Sequence, residues 1–228
     1  LSPDSRSWYL GALGELAVGE QLARLGEAWR ILHAVPVGTG DSDIDHVVIG
    51  PSGVFTINTK AHANKKVWVA GHKLLIDGFA QNYIRNSQHE ATRASTLLSS
   101  VLGRPIQVTP LIVVVGASEI RQGRRPPAVD VLISRSIVRN LKRRRMVFSP
   151  EAVAEIADVA GRRATWHRDA EVLDDVPTVA LHFESLRRKV DAAALRRRLW
   201  ALLAGVLIIA VSLLACIHLF HAAITARI

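Results

Sequence analysis

Four residues of one short stretch carry chemistry-bearing side chains at strand spacing: Asp43, Asp45, Asn58 and Lys60. They bracket Asp43-Ile44-Asp45-His46-Val47-Val48-Ile49 and Val54-Phe55-Thr56-Ile57-Asn58-Thr59-Lys60, joined by Gly50-Pro51-Ser52-Gly53. Both flanks are rich in Val, Ile, Thr and Phe, and the joint has turn chemistry, so the spacing predicts a hairpin. Ile49 then faces Val54, Asp45 falls opposite Asn58 and Asp43 opposite Lys60. Side chains alternate with period two, so the four share one face at the open end. Charged groups on a strand with apolar neighbours are costly unless paired or bound to a metal. Two readings of Asp45 follow. It is a strand-end acid paired with Lys60, or it is a ligand for Mg²⁺ or Mn²⁺, which take hard oxygen donors. On the second reading Lys60 holds a phosphate or steadies developing negative charge. Asp43 and His46 read as supporting residues.

An acid in one strand, a tight turn and then acid-x-Lys in the next is the hairpin of the PD-(D/E)XK nuclease superfamily. Gly14-Glu15 in a helix, Asp43-Ile44-Asp45-His46-Val47-Val48, Gly53-Val54-Phe55 and Thr59-Lys60 together resemble one branch of it, the nuclease-related domain. The resemblance covers roughly residues 8 to 115. It implies a restriction-endonuclease-like mixed α/β sheet flanked by helices. It also implies a metal-dependent DNA phosphodiester hydrolase, with Asp45 and Glu15 as metal ligands and Lys60 at the phosphate. The chain departs at one position: the family commonly has Glu-Thr-Lys where this chain has Asn58-Thr59-Lys60. An amide there is at best a neutral third ligand, which weakens the metal. The alternative is a catalytically inactive module that binds nucleic acid, or a scaffold at a membrane.

The elements that must position these residues are legible to different degrees. Residues 8 to 25 read as a helix, with Leu10, Leu13, Ala17, Leu22 and Leu25 as its apolar stripe and Gly26 as its stop. Glu15 lies in mid-helix. Without the resemblance it reads as a solvent-facing acid. Arg30 to Val37 reads as a strand, and Gly38-Thr39-Gly40 as a flexible lead into the hairpin. Residues 66 to 76, around Gly71-His72, read as a second hairpin that extends the sheet. A polar helix is predicted over 80 to 102, closed by Gly103. By the resemblance a glutamine on it, Gln81, lies at the site, although a solvated helix face accounts for it equally. Pro110 to Gly116 reads as a central strand buried on both faces.

Lys and Arg number 29 against 20 Asp and Glu, a net charge of +9, which suits nucleic acid or an anionic membrane surface. The one cysteine, Cys216, rules out an intrachain disulfide and a cysteine-based zinc site. No leading apolar run is visible, so no signal peptide is expected. Residues 121 to 145 hold most of the local excess of charge, ending in Lys142-Arg143-Arg144-Arg145. Lys142, Arg143 and Arg144 read either as phosphate contacts or as a solvated helix end, where cations are favoured. Val131 to Ile133 reads as an edge strand. Ser149-Pro150 should open another helix, and residues 165 to 185 read as an irregular acidic linker.

Leu199 to Phe220 carries no formal charge, and about 20 such residues cross a bilayer as a helix. Arg187, Arg188, Lys189, Arg196, Arg197 and Arg198 precede it and only Arg227 follows. That asymmetry predicts a single-pass anchor in the cell membrane with the N-terminal domain in the cytoplasm. Four segments result: a nuclease-related core over 8–118, a basic extension over 119–165, a linker and juxtamembrane helix over 166–198, and a transmembrane helix over 199–220.

Overall fold

The structure is a computed structural model that describes residues 2–37, 43–167 and 176–225, with the described side chains of the last helix ending at Leu213. Two compact units are present, residues 1–170 and residues 171–228. Gly38-Thr39-Gly40 and the acidic residues Asp169, Glu171, Asp174 and Asp175 lie outside the described residues.

The first unit starts with helix α1 (Pro3–Leu22). It begins earlier than its apolar stripe suggests, because the Ser2 hydroxyl accepts the Ser5 N–H at 3.2 Å and proline fits a first helical turn. There follow β1 (Arg30–Pro36), β2 (Asp43–Gly50), β3 (Gly53–Ala61), β4 (Lys66–Ala70), β5 (Lys73–Ile76) and β6 (Phe79–Gln81). Next come α2 (Tyr83–Leu102), β7 (Val108–Val115), β8 (Glu119–Gln122) and β9 (Asp130–Ile133). The unit ends with α3 (Ile137–Arg143), α4 (Pro150–Gly161) and α5 (Arg163–Trp166).

The main sheet runs β1-β2-β3-β7-β9. Its first three strands are antiparallel, and β7 and β9 join in parallel. Ile49 pairs with Val54 and Gly50 with Gly53, as the turn residues predict. On one face α1 and α3 bury Val18, Leu22, Ile137 and Leu141 against Val48, Phe55, Ile57, Leu111 and Val113. On the other, Ala91, Ala94 and Leu98 of α2 and Val153 and Ile156 of α4 cover Val47, Ile49 and Val54. Strand β7 is buried on both sides, which is why it reads as an unbroken apolar run. Gly50 is fixed by close approach: a Cβ there would stand 2.1 Å from the Trp29 ring.

The second hairpin does not extend this sheet. Strands β4 and β5 belong to a separate sheet, β6-β5-β4-β8. Both edges of β3 are taken, by β2 and β7, so the chain leaving β3 has no edge there to join. Val67, Val69, Leu74 and Ile76 pack instead against Ile112, Val114 and Ile84.

Face alternation breaks once, where the site begins. Ile31 packs with the α1 cluster but Val35 with the α2 cluster, although they are four residues apart on β1 and regular alternation would put them on one face. In β2 Val48 and Ile44 divide the same way. The break falls at Ala34, whose φ of 46° is left-handed, and at Asp45, which lies opposite it and is unpaired in the ladder. A left-handed alanine costs about 1–2 kcal/mol. Packing on both faces of β1 holds it there.

Ser149 caps α4, its hydroxyl accepting the Ala152 N–H at 3.3 Å. Ser149→Ala should cost about 1 kcal/mol of stability, read as a lower urea midpoint with an unchanged slope. In the second unit α6 (Val176–Thr225) is one helix. The expected irregular stretch is therefore helical from Val176, and Arg163–Trp166 forms a helical turn. Among the described residues no helix is long and apolar enough to cross a membrane. The uncharged stretch 199–220 runs past the last described side chain, Leu213.

Candidate active site at the open end of the hairpin

The ladder between β2 and β3 ends at His46 and Ile57. Beyond it the two strands part, and side chains of α1 and α2 enter the gap. The Asp45 carboxylate accepts the backbone N–H of Thr59 at 2.5 Å. Asp45 therefore caps the splayed strand rather than simply facing Asn58 across a ladder. Burial pushes its carboxyl above the usual range, with that hydrogen bond and Lys60 opposing and Asp43 adding to the rise.

Asn58 is only 5% exposed. Its side-chain N–H donates to Glu90 Oε1 on α2 at 2.7 Å. The remaining oxygens of the pair, Asn58 Oδ1 and Glu90 Oε2, are buried without a hydrogen-bond partner. Burial pushes the Glu90 carboxyl up; the Asn58 bond and Lys60 oppose this, while Asp45 and Asp43 add to it. On α1, Gly14 lets the helix close on the strand: a Cβ there would meet Ala61 Cβ at 3.2 Å. The next residue, Glu15, is held at about 7 by burial and by the fields of Asp45 and Asp43, against Lys60. Glu15, Asp45 and Glu90 thus sense common neighbours, Asp43 and Lys60.

Lys60 lines a cavity of about 500 Å³ together with Glu15, Asp43, His62, Tyr83 and Trp8. Its Nζ lies 5.3 Å from the Tyr83 ring centroid, a cation–π contact. His46 is 2% exposed and meets His33 across the strands, Nδ1 to Nδ1 at 2.8 Å. Burial and the His33 ring hold its imidazole down at about 4. It is a neutral support under α1.

The structure gathers Glu15, Asp45, Asn58 and Lys60 around this opening and leaves the other expected residues apart. Gln81 is not on the helix, which begins at Tyr83. It pairs with Leu74 as part of β6, and its amide donates to the Phe79 carbonyl at 3.3 Å. Lys142, Arg143 and Arg144 stand at the closed end of the hairpin, where Ser52 Oγ donates to the Leu141 carbonyl at 3.0 Å. Lys60 lies eight residues along from Ser52, about 26 Å at 3.3 Å per residue. Arg144 is committed there: it pairs with Asp130 at 2.5 Å and lies 5.3 Å over the Phe55 ring. Lys142 donates to the Arg24 carbonyl.

Glu90 escaped the sequence reading, as did the basic residues beside it. Arg85, His89 and Arg93 recur every four positions on α2, one stripe of a helix. With Glu90 they line a second cavity of about 600 Å³. The signal for Glu90 was available: it lies three residues after Ser87 and four before Ala94, both fully buried on α2. That spacing sets it beside the buried face.

The donor set suits a hard cation, being oxygens alone from Glu15, Asp45, Glu90 and the Asn58 amide. Two of those oxygens are buried and unsatisfied. Among the described residues no three His, Cys, Asp or Glu side chains already stand close enough to hold a metal ion.

Residues 10–115 match the family described as nuclease-related domain, NERD. Among curated proteins no relative matches the chain. Among solved structures, Pyrococcus furiosus SfsA in complex with Ca²⁺ aligns at 16% identity with a TM-score of 0.25. That alignment covers 67% of this chain and 53% of the other.

Proposed function

We propose that the first unit is a metal-dependent nucleic-acid phosphodiester hydrolase of restriction-endonuclease-like fold, acting on DNA, in which Glu90 supplies from α2 the carboxylate that Asn58 lacks on β3. The bond between Asn58 and Glu90 carries this reading. It brings an acid to the strand position where the resemblance expects one. It also leaves an amide oxygen and a carboxylate oxygen buried and unpaired, at about 1–3 kcal/mol each unless a ligand satisfies them. Asp45, with Glu15 and Glu90 drawn in on binding, would hold Mg²⁺ or Mn²⁺, which would neutralise the phosphate and ease deprotonation of the attacking water. Lys60 binds a non-bridging phosphate oxygen and meets the charge that builds there. Water adds to phosphorus, the bond to the leaving oxygen breaks, and that oxygen takes a proton. Arg85 and Arg93 replace the distant Lys142–Arg144 cluster as the contacts that hold flanking phosphates.

The test is cleavage of DNA by the full chain in mild detergent, with Mg²⁺, with Mn²⁺ and with chelator. Asp45→Ala and Lys60→Ala preparations made identically guard against a contaminating nuclease. Metal-dependent cutting that both substitutions abolish is the expected result. Binding without cutting by folded protein would replace the hydrolase with an inactive nucleic-acid-binding module.

A membrane tether forms part of the same proposal. Leu202, Leu203, Val206, Leu207, Ile208 and Ile209 of α6 are each more than half exposed. They lie in the uncharged stretch 199–220, which follows two groups of three basic residues, 187–189 and 196–198. An apolar surface around a whole helix suits lipid. The tether places the N-terminal unit in the cytoplasm and predicts that the chain pellets with membranes and resists alkaline extraction. Release by alkali would remove it.

A further inference from the structure

We propose that the cavity beside Lys60 is a stacking subsite for one unpaired nucleobase, with Trp8 as its platform, so that the preferred substrate is single-stranded nucleic acid. The inference rests on the hydrolase reading for the identity of the polymer and adds to it the strand state.

Trp8 is 82% exposed on α1, an unusual position for the largest apolar side chain, and it lines the same recess as Lys60 and Glu15. A recess of about 500 Å³ lies in the range of small-molecule pockets. It accommodates a nucleotide, whereas a base stacked within a duplex must first be extruded to enter. The other wall is arranged for a polar edge. The His62 and Tyr83 rings stack with centroids 5.8 Å apart and an angle of 28°, and His62 Nε2 lies 3.1 Å from the Tyr83 hydroxyl. Lys60 occupies a position over the Tyr83 ring. Tyr83 is therefore engaged, and the open indole of Trp8 is the surface left for stacking. Burial, Lys60 and Lys65 lower the basicity of His62. A neutral imidazole and a phenol hydrogen-bond to a base edge without drawing the phosphate away from Lys60. A base on Trp8 thus sets its phosphate beside Lys60 and the carboxylates. Stacking on an aromatic side chain is sequence-tolerant, because every base has a π-face.

The experiment is binding of the full chain in mild detergent, with chelator present so that nothing is cut. Fluorescein-labelled oligothymidylate and a duplex of equal length are titrated by anisotropy. The parent should prefer the single strand. Trp8→Ala should weaken single-strand binding about tenfold, Trp8→Phe should recover most of it, and duplex binding should move little. The melting temperature should hold, since the side chain is exposed. Equal loss on both probes, no loss at all, or a parent that prefers duplex each overturns the subsite. Cleavage by the parent in Mg²⁺ is read separately, so a failure of the hydrolase reading stays distinct from a failure of stacking.

Discussion

Glu90→Gln should lower Mg²⁺-dependent cleavage by about 10²–10³-fold, the cost of removing one preorganised group that meets transition-state charge. The substitution keeps the size and shape of the side chain. It replaces the acceptor of the 2.7 Å bond from Asn58 with a neutral group and removes one of the few acids near Asp45. If Glu90 only anchors Asn58, the amide oxygen of a glutamine still accepts that bond and cutting survives. If Glu90 supplies the carboxylate, cutting falls. The double exchange Asn58→Glu with Glu90→Gln separates the roles further. It moves the acid from helix to strand and keeps a hydrogen-bonding pair, so activity should return to within about tenfold of the parent, one energy step of ~1.4 kcal/mol. Asp45→Ala should abolish cleavage in either background. Cleavage by Glu90→Gln at the parent's rate would mean that Glu90 only anchors Asn58 and would overturn its role as the replacement carboxylate.

The residues that were legible and those that were not differ in how local their signals are. The hairpin, its turn and its register follow from alternation over a dozen neighbouring residues, and β7 from an unbroken apolar run. Glu15 needed the Gly14 before it and the hairpin after it. Glu90 stands 32 positions from Asn58, on a helix whose polar residues outnumber its apolar ones, where one more acid looks like solvent-facing charge. Only its placement between Ser87 and Ala94 marks it. The separate small sheet was hidden for a related reason. Alternation says that residues 66 to 76 form strands but not which edge they join, and their partner Glu119–Gln122 runs into a segment read for its charge. The Lys142–Arg144 cluster shows the converse. Charge density is obvious in a sequence, yet Asp130 and Phe55 engage Arg144 at the far end of the hairpin.

Glu15→Gln should make the metal-free protein more stable at pH 8 and leave it nearly unchanged at pH 5. In the folded chain the Glu15 carboxyl is raised from 4.5 to about 7, and those of Asp45 and Glu90 are also raised. A folded state that holds its protons more tightly than the unfolded chain loses stability as pH rises between the two values. The contribution of Glu15 is therefore fully present below about 4.5 and gone above about 7. At ~1.4 kcal/mol per unit the shift corresponds to about 3.4 kcal/mol. Glu15 is only partly buried, so screening reduces this to about 1–2 kcal/mol. Removing the charge recovers that amount at pH 8, a rise of a few degrees in melting temperature. Added Mg²⁺ should act on the parent in the same direction and the same pH range, because a cation is attracted only after the carboxylates ionise. The Mg²⁺-induced rise should be clear at pH 8, small at pH 5, and smaller in Glu15→Gln than in the parent. A melting temperature that ignores Mg²⁺ at pH 8 while Glu15→Gln is stabilising would mean that the acids repel one another there without serving a metal.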